Sequence, residues 1–377
     1  MLSFLSRALS PVDAVELEIE LSGNANATSV LVFTEHVNAT YFISFDLPLR
    51  QLHRRGQANF GVASQGLMQT IPARRLKDVL NDWQSRFRPN AVFMSRYAGP
   101  HGLEIMNHFQ AAGVRVIYHI DDDLLDVPEF LGAEIRKRQG NDETVRTREL
   151  LLRGADLVYA STERLASVLK RRLERQRVVH GAVYAPFLNE YLSDMPAPIP
   201  RGPVVGYMGS KGHQHDLELV VPAIERLLDE RTDLRFEVFG TIKLPAALER
   251  FKGRVHAHSV KTTYLEFLST LKALNWTIGL APLINAPFNL CKAPTKLIEY
   301  AACGIPTIAS NISVYTEAAP ESAVRFVNGD WYSALTSLLD EPDQRQRMLR
   351  EAQAHCANAF PMERLEQQLL SISSGGR

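Results

Sequence analysis

Residues 282–310 read PLINAPFNLCKAPTKLIEYAACGIPTIAS. The stretch divides into the end of a buried strand, a polar loop, a short helix, a Gly-Ile-Pro turn and a second buried strand. Leu297, Ile298, Ala301 and Ala302 recur at i, i+1, i+4 and i+5, which predicts a helix with one apolar face. Lys296, Glu299, Tyr300 and Cys303 fall on the opposite face. Pro294 suits the first helical turn, where its missing N–H is no loss. Gly304 follows the helix end, and Pro306 opens the run Thr307-Ile308-Ala309. The free N–H groups at the start of such a helix, with Lys292 and Lys296 beside them, make a seat for a phosphate. Glu299, one turn further in, is placed to accept hydrogen bonds from a ribose.

The same strand–helix alternation runs outward in both directions. Towards the N-terminus, Val30–Phe33, Phe60–Ala63, Ala91–Met94, Val114–Ile120, Leu157–Ala160 and a start at Val178-Val179 read as strands. Helical patterns near 43–55, 72–86, 101–112 and 162–174 separate them, and the alternating 15–21 reads as an edge strand. Pro196, Pro198, Pro200 and Pro203 then interrupt the rhythm. It resumes at Val204–Met208 and continues through 234–239, 255–260, 276–281, 306–310 and 323–327. Leu217, Val220, Val221, Ile224, Leu227 and Leu228 predict one amphipathic helix with Asp216 as its N-cap. Short apolar strands alternating with helices mean α/β architecture, each unit a parallel sheet covered on both faces.

Lys296-x-x-Glu299-Tyr300-x-Ala302-x-Gly304-Ile305-Pro306-x-Ile308-Ala309-Ser310 resembles the nucleotide-sugar signature of GT-B glycosyltransferases, family 4 and its relatives. The resemblance implies two Rossmann-like, doubly wound parallel-sheet domains facing a central cleft, with Glu299 on the donor's ribose hydroxyls. Family 4 carries a second Glu eight positions earlier, on the donor sugar; here that position is Cys291. The pattern Asn289-x-x-Lys292-x-x-x-Lys296 resembles a bacterial surface-glycan subgroup that also lacks this Glu. Val116 to Leu124 resembles the corresponding stretch of the same subgroup. On this basis 1–28 is an extension, 29–186 the acceptor domain, 187–203 a linker, 204–357 the nucleotide-sugar domain and 358–377 a helix crossing back to the first domain.

Ligands of open α/β sheets bind beyond the carboxyl ends of the strands. In the second domain this selects Gly209, Ser210 and Lys211 for a diphosphate, then Asn289, Lys292, Pro294, Thr295, Lys296 and Glu299. The 209–211 run is also ordinary surface-loop sequence; His213 and His215 read as solvent-facing loop histidines or as donor contacts. In the first domain the rule selects His36, Asn38 and Arg96 for acceptor contacts, with Thr40 and Ser161 nearby. Asp121, Asp122 and Asp123 keep three readings. They form a metal site like the Asp-x-Asp of the GT-A fold, contacts with acceptor hydroxyls or a catalytic base, or a turn and helix cap before Leu124-Leu125. Residues 131–150 read as a solvated helix face or a mobile loop over the acceptor.

Lysine plus arginine and aspartate plus glutamate both number 42, which argues against nucleic acid as a partner. The three cysteines show no metal spacing and suit a reducing compartment. No run approaches the roughly 18–20 apolar residues of a membrane span. The start MLSFLSRALS reads as a frayed or packed segment, with a bilayer-surface contact as the alternative. The expectation is a retaining glycosyltransferase, cytoplasmic or peripheral at the inner face of the membrane, making a surface polysaccharide. Its partners are a nucleotide sugar and a glycan or lipid-linked glycan, with no cofactor and no metal. Lys211, Lys292 and Lys296 would stabilise the leaving group and Asp121 would serve catalysis, with Asp122 and Asp123 on the acceptor. The rivals are a nucleotide-sugar epimerase and a non-catalytic scaffold of the same fold.

Overall fold

The computed structural model describes residues 17–174, 177–193, 202–259 and 263–375. The bilayer-surface reading of 1–10 and most of the proline run at 196–200 lie outside them. Two sheets form. The first contains β1 (Glu18–Glu20), β2 (Thr28–Thr34), β3 (Ala58–Ser64), β4 (Ala91–Ser95), β5 (Arg115–Ile120), β6 (Leu157–Ala160) and β7 (Val178–His180), in the order β1-β3-β2-β4-β5-β6-β7. All pairs are parallel except β1 on β3, an antiparallel edge within the alternating segment 15–21. The second contains β8 (Val204–Gly209), β9 (Arg235–Gly240), β10 (Val255–His258), β11 (Ile278–Ala281), β12 (Thr307–Ser310) and β13 (Arg325–Val327). It is parallel throughout, in the order β10-β9-β8-β11-β12-β13.

Strand order reverses between β2 and β4 in one sheet and between β8 and β11 in the other, and such switch points open a crevice for ligands. Strands this apolar are buried on both faces: Val30 to Phe33, Ala91 to Met94 and Ile278 to Ala281 form continuous buried runs. A third apolar cluster joins the domains, with Ile43, Leu47, Leu188, Leu192, Tyr264, Ile298 and Leu365 among its members. The last helix, Met362–Ser374, packs on the first domain. There Arg115 Nη1 donates to Ile372 O at 3.1 Å, and Gln368 Oε1 accepts from Ala182 N at 2.8 Å.

Two local expectations are corrected. The apolar set Leu217 to Leu228 is buried, but Gln214–Glu218 and Val221–Glu230 are separate helices, the second starting beside Pro222. Asp216 therefore lies inside the short first helix and does not cap the long one. The connection 131–150 forms helices Ala133–Gln139 and Asp142–Gly154, and it is not simply solvated, because Gln139 and Arg148 are buried.

Candidate active site between the two sheets

The decisive helix spans Thr295–Ala302, with Pro294 at its N-cap and Gly304 at φ +78° just beyond its end. Its position is fixed from below. Tyr300 is fully buried; its hydroxyl accepts from Met208 N at 3.1 Å and donates to Leu280 O at 3.0 Å, tying the helix to β8 and β11. Gly279 admits the close approach, since a Cβ there would stand 3.0 Å from the Tyr300 ring. Tyr300 and Cys303, on the helix face opposite Leu297, thus serve the core, while Lys296 and Glu299 line a cavity.

That cavity, about 280 Å³, lies between the domains. The second domain contributes Ser210, His213, Lys292, Thr295, Lys296 and Glu299; the first contributes Thr40, Ser44, Arg96, Asp121, Asp122 and Ser161. Thr40 and Ser44 belong to a helix that starts at Ala39 and widens into a π turn over Phe42–Asp46, a device often found at functional sites.

On the first-domain wall Arg96 is the hub. Its backbone is left-handed (φ +54°), a costly conformation for a side-chain-bearing residue that aims it across the strand ends. The guanidinium lies 3.3 Å from Asp121, 3.7 Å from Asp122 and 3.5 Å from Glu35. Burial alone would lower its pKa, but these carboxylates outweigh it and hold the cation above its ordinary value. Thr40 Oγ1 donates to Asp121 Oδ2 at 2.8 Å. Lys292 Nζ donates to Asp122 Oδ1 at 3.1 Å from the opposite domain. Burial would raise the Asp122 pKa; Lys292 and then Arg96 reverse the effect and hold it below the ordinary 3.8. Asp121 and Asp122 thus already face cations. Asp123 is turned into a buried position off the cavity, where burial and Asp126 raise its pKa. The triplet does not converge, and among the described residues no cluster of three His, Cys, Asp or Glu is arranged to hold a metal.

On the second-domain wall, burial and the neighbouring Lys292 depress Lys296, partly offset by Asp216 and Glu299. Glu299 is raised, chiefly by burial, against a hydrogen bond donated by Tyr264 Oη at 2.8 Å. Burial thus pushes both groups towards their neutral forms, a perturbation common where side chains meet a polar ligand.

Several selected residues sit elsewhere. Lys211 does not line the cavity; its exposed side chain lies 3.5 Å from Glu134 of the first domain, while its N–H donates to Thr241 Oγ1. Gly209 ends β8, its carbonyl held by Thr241 N and Ile242 N, and only Ser210 of that loop reaches the cavity. Asn289 is buried, donating to Ile284 O at 3.0 Å and Asp216 Oδ1 at 3.4 Å, so it shapes the loop from behind. Pro294 faces a neighbouring cavity beyond Lys292. Asn38 caps the helix at Ala39, and exposed His36 lies 3.5 Å from Glu35. Cys291 is buried, and its carbonyl accepts from Thr162 Oγ1 across the domains at 2.9 Å.

Two features go beyond what the sequence alone specified. His213, read as a solvent-facing loop histidine or as a donor contact, lines the cavity with its Nδ1 2.8 Å from Asp216 Oδ2, and the His-x-x-Asp spacing was the available signal. A buried chain also runs beneath the site: Arg148 Nη2 donates to Gln139 Oε1 at 2.8 Å, Gln139 Nε2 donates to Glu35, and Glu35 faces Arg96.

The architecture is the GT-B fold, two Rossmann-like domains across a cleft. Residues 219–371 match the family model described as glycosyl transferase-like, so most of the second domain and the returning helix carry that family's pattern. A glycosyltransferase from Rickettsia africae superposes with a TM-score of 0.64 at 12% identity, over 93% of this chain and 98% of that one. Anabaena HepE, solved with UDP and glucose, gives 0.64 at 12% identity, over 92% and 100%. A protein described as a putative UDP-N-acetylglucosamine 2-epimerase from Listeria monocytogenes gives 0.54 at 10% identity, over 93% and 96%. None of the curated proteins matches this chain by sequence. Among the described residues no helix is long and apolar enough to cross a membrane.

Proposed function

We propose that the protein transfers a sugar from a nucleotide-diphosphate donor to a hydroxyl of a glycan or lipid-linked glycan. The observation that carries this reading is the helix Thr295–Ala302. Its N-terminus opens on the cavity with Lys292, Thr295 and Lys296 around it, and Glu299 follows one turn along the same wall. Backbone N–H groups and two ammonium groups suit a diphosphate, and a carboxylate at that distance suits the ribose of the same ligand. Stabilising the departing diphosphate is then the largest catalytic contribution, delivered by charges fixed before the reaction begins. Arg96, Asp121 and Asp122 face the acceptor side, where a carboxylate can take the proton of the attacking hydroxyl.

The resemblance to family 4 supports retention of configuration without a protein nucleophile, independence of metal, and a place in bacterial surface-polysaccharide synthesis at the inner face of the membrane. The test is calorimetry and thermal shift with UDP, GDP, ADP, dTDP and CMP, with and without EDTA. One nucleoside diphosphate should raise the melting temperature regardless of EDTA, and Lys296→Ala and Glu299→Ala should abolish the rise. Absence of any binding in the millimolar range would leave a scaffold of the same fold. Conversion of a nucleotide sugar with no acceptor present would indicate the epimerase instead.

A further inference from the structure

His213 is held in a way that the donor-binding residues do not require. Its Nδ1 lies 2.8 Å from Asp216 Oδ2, and Asp216 is itself almost fully buried. The other carboxylate oxygen of Asp216 accepts from Ile284 N at 2.9 Å and from Asn289 Nδ2 at 3.4 Å. With Oδ1 already accepting from two donors, Asp216 meets the ring as an acceptor through Oδ2, which makes Nδ1 of His213 the protonated nitrogen. Nε2 is then the ring's remaining polar atom, and the ring lines the cavity on the same wall as Lys296 and Glu299. The charged groups facing the ring are Asp216, Lys292 and Lys296, with Asp122 across the gap. Burial, then Lys296, lower its pKa to about 4 despite Asp216, so the imidazole is neutral at physiological pH.

A neutral imidazole with a bare nitrogen cannot donate to a phosphate oxygen; its lone pair would repel one. It can accept from a hydroxyl. Resting on the donor-site reading above, we infer that His213 Nε2 is a specificity determinant that accepts a hydrogen bond from a hydroxyl of the transferred sugar, oriented for this by Asp216. This gives the second domain a sugar-reading side chain, where Cys291 is buried in the first domain's core cluster and cannot serve.

The experiment compares UDP with UDP-glucose and UDP-N-acetylglucosamine by calorimetry, with the GDP, ADP and dTDP series alongside. Wild type, His213→Ala and His213→Gln are measured. The expected result is that His213→Ala binds the bare nucleoside diphosphate within about twofold of wild type. It should lose about three- to tenfold on the nucleotide sugar, the worth of one hydrogen bond. His213→Gln, which keeps an acceptor oxygen, should recover part of that loss. Equal losses on both ligands, or none on either, overturn the inference while leaving the donor site intact. Transfer that fails with donor affinity unchanged would put the hydroxyl on the acceptor and also overturn it. A wild type that binds no nucleotide removes the donor-site reading first, and the inference falls with it. Nitrogen-15 NMR of histidine-labelled protein decides the tautomer without any variant. An Nε2 unprotonated throughout pH 5–8 is expected, and a His213 ring that charges near pH 6.5 sinks the assignment.

Discussion

Lys292 Nζ of the second domain stands 3.1 Å from Asp122 Oδ1 of the first, so the cation proposed to meet the diphosphate already has a carboxylate partner across the cleft. A bound diphosphate must compete for it. Asn in place of Asp122 should therefore tighten nucleoside diphosphate binding about three- to tenfold, while lowering the melting temperature of the free protein, because Lys292 loses its counter-charge in a largely buried setting. Calorimetry on Asp122→Asn checks both, and unchanged affinity would mean that Lys292 does not meet the diphosphate. The pH sense is fixed as well. Asp122 is held below 3.8, so its contribution to stability is complete above that value and lost only as pH falls through its lower folded pKa.

Lys296 makes the opposite case. Burial, with Lys292, lowers its pKa in the free protein, and a bound diphosphate would raise it again. Binding then takes up a proton, so affinity should weaken as pH rises through the free-protein value, below the ordinary lysine range. Titrations across alkaline pH in two buffers of different ionisation enthalpy should show that uptake. Lys296→Arg, whose charge persists, should flatten the dependence.

Tyr300→Phe tests the mounting of the helix. It leaves the Met208 N–H and Leu280 carbonyl without the hydroxyl that now serves both. Two buried polar groups stranded together cost about 2–4 kcal/mol, readable as a lower urea midpoint with an unchanged slope. Nucleotide affinity should fall with it, since Lys296 and Glu299 ride on the same helix.

Arg148→Met should act at a distance. Arg148 is fully buried and holds Leu124 O at 2.9 Å and Gln139 Oε1 at 2.8 Å. Removing it frees Gln139, and through Glu35 the seat of Arg96. A loss of about 1–3 kcal/mol is expected from the carbonyl and amide oxygens left without their donor, with faster hydrogen exchange concentrated in 129–140. Uniform exchange throughout the first domain would contradict the chain of contacts.

The fold could be read because parallel strands buried on both faces leave continuous apolar runs, and because Gly304 and Pro306 punctuate the decisive helix. Lys296 and Glu299 were readable for the same reason: helical spacing puts them on one face, whatever the rest of the chain does. What escaped depends on partners far away in sequence. Nothing local says that Lys211 will turn to Glu134, that Lys292 will reach Asp122, or that Arg148 will be swallowed by the core. Asp216 looked like a helix cap because its neighbours have helical spacing; besides the local His213 its partners are Ile284 and Asn289, which arrive from a different strand's loop. A polar residue's burial is decided by what folds over it, and periodicity is silent on that.

The returning helix has a mechanical consequence. The polypeptide passes between the domains twice, once near Phe187 and again near Phe360, and the two passages touch: Phe187 N donates to Phe360 O at 2.8 Å. Two tethers side by side define a pivot, as the pins of a door do. Rotation about that line leaves the packing around Ile43, Leu188 and Leu365 nearly still. The same rotation would part the interdomain contacts of Phe130 with His215 and of Glu134 with Lys211.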